Sequence, residues 1–184
     1  MENYIRTYQK KFSDDECSGM VNWFEVQDEH NYTEHTVLQG HRKFDEINLN
    51  KHREETMQTQ LDIYDRFGRI LETYKQDVKL HPKAWPEESK WEEIRLKRYK
   101  ANSGNFLNHV DVGNHDSARR FLVVFLYLNT VEKGGETEFP TFDLKVSAER
   151  GKVLVFPSTW TYLHRGNTPI SNDKYILGSY LHYV

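Results

Sequence analysis

The sequence predicts a mainly β protein with supporting N-terminal helices, an α+β chain whose later strands form a β-sandwich or jelly roll with helices packed on one side. Two observations carry this. Apolar residues recur at three- and four-residue steps over His52 to Lys79, the mark of a helix. From Glu93 onward the period shortens, and apolar stretches rich in Val, Phe and Tyr follow one another between turns. The 184 residues fit a single domain, 1–184, with a helical support region at 1–92 and a core at 93–184.

Tyr4 to Tyr8 reads as a short strand. Ser13-Asp14-Asp15-Glu16 has the form of a capping box, and the helix it opens carries Met20, Val21, Trp23 and Phe24 as an apolar stripe. Tyr32 to Leu49 is polar and reads as short strands or loops. The long helix places Met57, Leu61, Tyr64, Phe67, Ile70, Leu71, Tyr74 and Val78 along one face, and Gly68 lowers its propensity slightly. His81-Pro82 and Trp85-Pro86 mark a loop. Ile94, Leu96 and Arg98 then alternate with Arg95, Lys97 and Tyr99, as a strand requires. Phe106 to Val112 is a second strand. Phe121 to Leu128 is almost continuously apolar, which suits a strand covered on both faces. Lys133-Gly134-Gly135-Glu136 is a turn, Lys152 to Phe156 a short strand stopped by Pro157, and Tyr175 to Val184 the last strand.

Composition narrows the class. Eleven Tyr, ten Phe and four Trp supply much burial per residue. The formal charge of −3 is small and its signs are interspersed, so a nucleic-acid partner is not expected. Cys17 is the single cysteine, which excludes an internal disulfide and a thiolate metal cage. The start, Met1 to Arg6, lacks the apolar stretch of a secretory signal, and no apolar run approaches a membrane span. The expectation is a cytoplasmic protein with no membrane partner.

His109-Val110-Asp111 sets an imidazole and a carboxylate two residues apart, on one face if the segment is a strand. His164, downstream of the Phe156-Pro157 strand end, is the candidate third ligand. Two His and one carboxylate, with three positions left open, form the facial triad of non-haem Fe(II) oxygenases. A structural zinc site would be closed by four ligands. Lys174 lies ten residues after His164 at the start of the last strand. A buried ammonium there needs an anion, such as the distal carboxylate of a dicarboxylic keto acid.

These motifs occur in a fixed order. Tyr99-Lys100-Ala101-Asn102-Ser103-Gly104-Asn105-Phe106-Leu107-Asn108-His109-Val110-Asp111 is followed by Arg120 and Tyr127-Leu128-Asn129. Gly134-Gly135-Glu136-Thr137-Glu138-Phe139-Pro140 and Gly151-Lys152-Val153-Leu154-Val155-Phe156-Pro157 precede His164 and Lys174. The pattern resembles the prolyl 4-hydroxylase type of 2-oxoglutarate/Fe(II)-dependent dioxygenase, over roughly Ile94 to Tyr183. The resemblance implies a double-stranded β-helix (jelly roll), Fe(II) held by the catalytic set His109, Asp111 and His164, and 2-oxoglutarate as co-substrate with O2. It implies Lys174, Tyr99 and Tyr127 around 2-oxoglutarate, Arg120 near the substrate entrance, and ascorbate as a further cofactor to test. The segment Pro157 to Tyr162 is more aromatic than the family's, which makes Trp160 a candidate substrate contact. The family often has a tryptophan a few residues after the lysine; here Tyr180 stands nearest.

The implied activity is hydroxylation of prolyl residues in peptides or proteins, coupled to conversion of 2-oxoglutarate to succinate and carbon dioxide. An aspartate at 111 favours hydroxylation over halogenation, which needs that position vacant. Nucleic-acid demethylases of the same chemistry typically carry an Arg-x5-Arg after the last histidine, absent here. A hydroxylase of a free amino acid or other small molecule, and a non-catalytic jelly-roll binding module, remain open alternatives. His30, His35, His41, His52, His81, His115 and His182 have no partner at ligand spacing, and the Asn31-Tyr32-Thr33 sequon reads as inert. The oligomeric state is not legible.

Overall fold

The protein is described here by a computed structural model that covers residues 4–28, 32–36 and 41–184. The strands are β1 (Arg6–Tyr8), β2 (Thr33–Thr36), β3 (Arg42–Asn48), β4 (Ser89–Trp91), β5 (Arg95–Tyr99), β6 (Asn105–His109), β7 (Arg120–Tyr127), β8 (Thr137–Phe139), β9 (Leu144–Val146), β10 (Val153–Pro157), β11 (His164–Gly166) and β12 (Lys174–Tyr183). The α-helices are α1 (Asp14–Glu25) and α2 (Arg53–Asp77). All strand pairings are antiparallel, in one sheet ordered β1-β10-β7-β12-β5-β3-β6-β11-β8-β9, with β2 on β3 and β4 on β12.

The sheet is curled. β8 and β10 lie near opposite ends of the strand order, yet the rings of Phe139 and Phe156 meet at 4.9 Å. Tyr127 on β7 likewise bonds Thr137 on β8 at 2.7 Å. Alternation explains how one sheet serves two cores. On β7, Leu122, Val124 and Leu126 face outward to the helices, while Val123, Phe125 and Tyr127 face into the curl. On β12, Tyr175, Leu177 and Leu181 face outward, and Ile176 and Tyr180 face inward. The near-continuous apolar run of β7 is therefore a strand covered on both faces, as its sequence indicates.

α1 begins at the predicted capping box: Ser13 Oγ accepts from Glu16 N, and Glu16 Oε2 accepts from Ser13 N. Its far end is tied to the outer face of the sheet by Arg98, which bonds Asp45 at 3.0 and 2.8 Å and Glu25 at 3.0 Å. α2 buries Ile63, Phe67, Ile70, Leu71 and Tyr74 against the sheet.

The structure corrects four expectations. Met57 and Leu61, placed on the apolar face of α2, are half exposed, and Thr56 and Gln60 are buried instead. The helix turns that way because Thr56 Oγ1 and Gln60 Nε2 both donate to the carbonyl of Leu49, at 3.1 and 3.0 Å. β4, at Ser89–Trp91, forms where no strand was expected, beside β1, β2 and β3 in stretches read as a strand or as strands or loops. β6 ends at His109, which leaves Val110 to Val112 outside the ladder. Pro157 is the last residue of β10, where the sequence placed the stop. His30 and Asn31 lie outside the described residues.

Gly178 sits in the inward row of β12, and a Cβ there would meet Phe125 Cδ1 at 2.5 Å and the Val124 carbonyl oxygen at 2.9 Å. Gly178→Ala should therefore destabilise the fold by about 1–3 kcal/mol through overpacking. Urea denaturation is the check, and an unchanged midpoint would show that the wall gives way freely.

Candidate active site

His109 closes β6 and His164 opens β11, and the two are cross-strand partners. Pairing alone brings the imidazoles together, with ring centroids 4.2 Å apart. Asp111 lies beyond the end of β6, where Val112 N donates to Ser158 O at 3.2 Å and ties the chain to the end of β10. His109, Asp111 and His164 each offer a ligand atom, and these atoms lie within 4.8 Å of one another.

Hydrogen bonds set which atoms are offered. His109 Nδ1 meets the Leu107 carbonyl at 2.7 Å, and His164 Nδ1 meets that of Tyr162 at 3.0 Å. A carbonyl accepts, so each Nδ1 carries the proton and each Nε2 keeps its lone pair. Burial, then the neighbouring His164, push the His109 imidazole down to about 2, so it stays neutral at working pH. Asp111 Oδ1 accepts from the Tyr180 hydroxyl at 2.9 Å, while Oδ2 is buried, has no hydrogen-bond partner and faces His164 Nε2 at 3.6 Å. A buried carboxylate oxygen without a donor is costly unless a cation meets it. Two free imidazole nitrogens and one carboxylate oxygen are the donor set that suits Fe(II), and three donors rather than four leave it an open side.

A narrow cavity runs inward from these residues to Lys174, lined also by Tyr99, Thr137, Ile176 and Tyr180. Lys174 is only 2 % exposed. Its ammonium donates to the Gly135 carbonyl at 3.0 Å and lies 4.4 Å from the centre of the Tyr99 ring. No carboxylate forms an ion pair with it among the described residues. Desolvation pushes it down to about 7, against an upward pull from Glu136.

The chain fixes this lysine from both sides. Asn129 donates to the Asp173 carbonyl at 2.7 Å and accepts from Tyr175 N at 2.8 Å. Asp173 in turn accepts from Ala101 N at 2.7 Å. The Gly134-Gly135 turn has φ of +75° and +76°, and a Cβ at Gly134 would meet the Thr168 carbonyl oxygen at 2.4 Å. Only glycine lets this turn present the Gly135 carbonyl to Lys174.

Residues 94–182 match the family model of the 2OG-Fe(II) oxygenase superfamily. The matched stretch, just under half of the chain, contains His109, Asp111, His164 and Lys174. The protein is a 2-oxoglutarate-dependent dioxygenase. Solved structures agree in fold. A viral collagen prolyl hydroxylase from Paramecium Bursaria Chlorella virus-1, in its 2OG complex, superposes with a TM-score of 0.72 at 20% identity, covering 98% of this chain and 97% of that one. A Pseudomonas putida prolyl-4-hydroxylase gives 0.70 at 16% identity, with 97% and 92% covered. A Trichoplax adhaerens prolyl hydroxylase, in complex with a hypoxia inducible factor oxygen degradation domain peptide fragment, gives 0.73 at 12% identity, with 98% and 84% covered. No curated protein matches the sequence.

The remaining candidates of this oxygenase fall in different places. Tyr99 lines the cavity. Tyr127 is fully buried behind it and bonds Thr137, which does line it. Arg120 lies at the mouth, fixed to Glu92 by two bonds of 2.8 Å and stacked 4.1 Å over the Tyr180 ring. Trp160 is 79 % exposed and lines neither the inner cavity nor the mouth. His115 is exposed. Tyr180, Thr137 and Lys97 line the site but were not singled out as site residues from sequence. For Tyr180 a signal existed, because Lys174, Ile176, Gly178 and Tyr180 share one face of a strand.

Burial, then the Asp111 charge, push the Tyr180 hydroxyl well up, so it remains a donor to Asp111. Tyr180→Phe should free the carboxylate and weaken metal affinity on the order of tenfold or more. Anaerobic Fe(II) or Mn(II) titration measures this, and an unchanged affinity would show that the bond does not orient Asp111.

Proposed function

We propose that the protein is a 2-oxoglutarate- and Fe(II)-dependent hydroxylase of prolyl residues in peptides or proteins, and that its curled sheet is a double-stranded β-helix, or jelly roll. The observation that carries this reading is a single cavity with three convergent metal ligands at one end and a buried, unpaired ammonium at the other. Five-carbon dicarboxylic keto acids have one end that chelates a metal and one that pairs with a cation.

His109 Nε2, His164 Nε2 and one Asp111 oxygen would hold the iron. Lys174 would pair with the distal carboxylate of 2-oxoglutarate. Tyr127 donates to Thr137 Oγ1, so the Thr137 hydroxyl keeps its own proton to give to that carboxylate. Tyr99 supports the ammonium with its ring face. Phe106, stacked 3.4 Å from His109, and Phe125 wall the cavity against water. When bound, iron and 2-oxoglutarate supply the oxidation, in which O2 is consumed, succinate and carbon dioxide leave, and one oxygen atom enters a substrate C–H bond. The inner cavity is narrow, and its side chains would have to move apart to admit the keto acid.

The peptide reading is supported by the mouth, an open vestibule of about 360 Å³ that leads to His109 and Asp111. It is supported also by the prolyl hydroxylases of the same fold, at a level where the likeness is analogy. Trp160, exposed at the surface, could touch only a substrate that extends beyond the vestibule.

Mass spectrometry for +16 Da products, run with proline peptides and free L-proline and scored against succinate release, tests the substrate class. Hydroxylation of the free amino acid alone would overturn the peptide reading. Asp111→Ala and His164→Ala should abolish substrate-dependent succinate formation, and full turnover in either would refute their assignment.

Lys174 gives a pH signature. Below pH 7 its ammonium is already charged; above, it must take up a proton to pair with a dianion. Apparent affinity for 2-oxoglutarate should be flat below about pH 7, then fall as pH rises, approaching about tenfold per unit. In Lys174→Arg the guanidinium stays charged, and the slope should vanish over pH 7 to 9. A wild-type affinity that does not change over that range would count against the pairing.

A further inference from the structure

The vestibule outside the metal ligands is cationic, although the chain as a whole carries a formal charge of −3. β3 turns Arg42, Phe44 and Glu46 toward it at alternate positions, and β5 turns Arg95 and Lys97. Arg95 and Lys97 share one carboxylate, Glu46, at 2.8 and 3.5 Å, and Arg95 also meets the exposed Glu93 at 3.4 Å. Arg120 is taken up by Glu92. Asp111 belongs to the metal set. Arg42 is left over: it has no carboxylate partner among the described residues, and its Nε is buried with no hydrogen-bond partner.

A guanidinium turned into a cleft with a desolvated, unbonded donor is costly unless an acceptor arrives. Its planar fork suits a carboxylate, which can take two parallel bonds from it. Phe106 is the cross-strand partner of Arg42 and also stacks on His109, so an anion on Arg42 lies beside the metal ligands. Lys97 lines both the vestibule and the inner cavity and adds a second positive charge on that side.

On the hydroxylase reading, we propose that the substrate carries a carboxylate near the carbon that is oxidised, and that Arg42 binds it. The carboxylate is either the free α-carboxylate of an amino acid or an acidic side chain next to the target residue in a peptide. In either case the arginine sets which substrate is accepted and does not touch the reacting bond.

Binding measured without turnover tests this. Protein loaded anaerobically with Mn(II) and 2-oxoglutarate is titrated by calorimetry with two matched pairs. One pair is L-proline and L-prolinamide; the other is a terminally blocked Gly-Pro-Glu peptide and its Gly-Pro-Gln counterpart. The acid member of one pair should bind on the order of tenfold tighter or more, with the advantage shrinking as salt rises, and the pair that responds names the source of the carboxylate. Arg42→Gln should remove the preference and Arg42→Lys should restore part of it, each ratio being read within a single variant so that a change in overall stability does not mimic it. No preference in either pair, or a preference that survives Arg42→Gln, overturns the inference. Iron-dependent decarboxylation of 2-oxoglutarate is followed in parallel: decarboxylation without charge preference overturns this inference alone, whereas its absence in the wild type overturns the hydroxylase reading as well.

Discussion

Two charged groups without ion-pair or hydrogen-bond balance face one buried cavity, and the sheet is arranged around keeping them there. Asp111 Oδ2 has no donor, and the Lys174 ammonium has a backbone carbonyl but no anion. In an apolar interior each would relax toward water or change protonation unless its backbone were held. Each is held by a bond from elsewhere in the fold. Tyr180 fixes the other Asp111 oxygen, and Asn129 with Asp173 brackets Lys174 on both sides. Net stabilisation from such bonds is small, but their geometry removes the local motion that would let either charge escape.

The curl of the sheet does the rest. The inward row of β12 runs Lys174, Ile176, Gly178, Tyr180, so one strand spans the site from the ammonium to the aspartate. Gly178 leaves the space that Phe125 fills from β7, and that ring forms part of the cavity wall. The outward row of the same strand, Tyr175, Leu177 and Leu181, anchors the helical layer. Tyr175 also donates to Glu25 at 2.7 Å, which couples α1 to the residue next to Lys174. A two-residue period thus links the supporting helices to the site through a single strand.

The chemistry of the site was more legible in the sequence than its geometry. His109, Asp111, His164 and Lys174 stand out because their residue types are informative wherever they lie. The expectation that Asp111 shares a strand with His109 failed, since β6 has no partner beyond the His109–His164 pair and the chain leaves the ladder there. β4, β8, β9 and β11 are three residues each, too short to show a period. Thr137 on β8 was hidden for that reason. Arg42 and Glu46 lay in a polar stretch without a decisive pattern, and their inward direction follows only from the pairing of β3 with β5 and β6. The apolar face of α2 was misplaced at its start because two polar side chains found a carbonyl to bond, a tertiary event that hydrophobic periodicity does not record.

The layout of the cavities bears on how ligands would reach the site. The vestibule reaches His109 and Asp111 but not Lys174; the inner cavity contains Lys174 and shares Lys97, Phe106, His109, Asp111 and Tyr180 with the vestibule. The two cavities meet at His109 and Asp111, so a ligand that passes from the vestibule to Lys174 goes by the metal ligands. On the proposed reading, a carboxylate-bearing substrate seated on Arg42 would cover that passage. On that reading the keto acid would enter before the substrate. On the same reading the oxidation would be tied to a bound substrate, because the substrate itself would lie over the route by which water reaches the inner site.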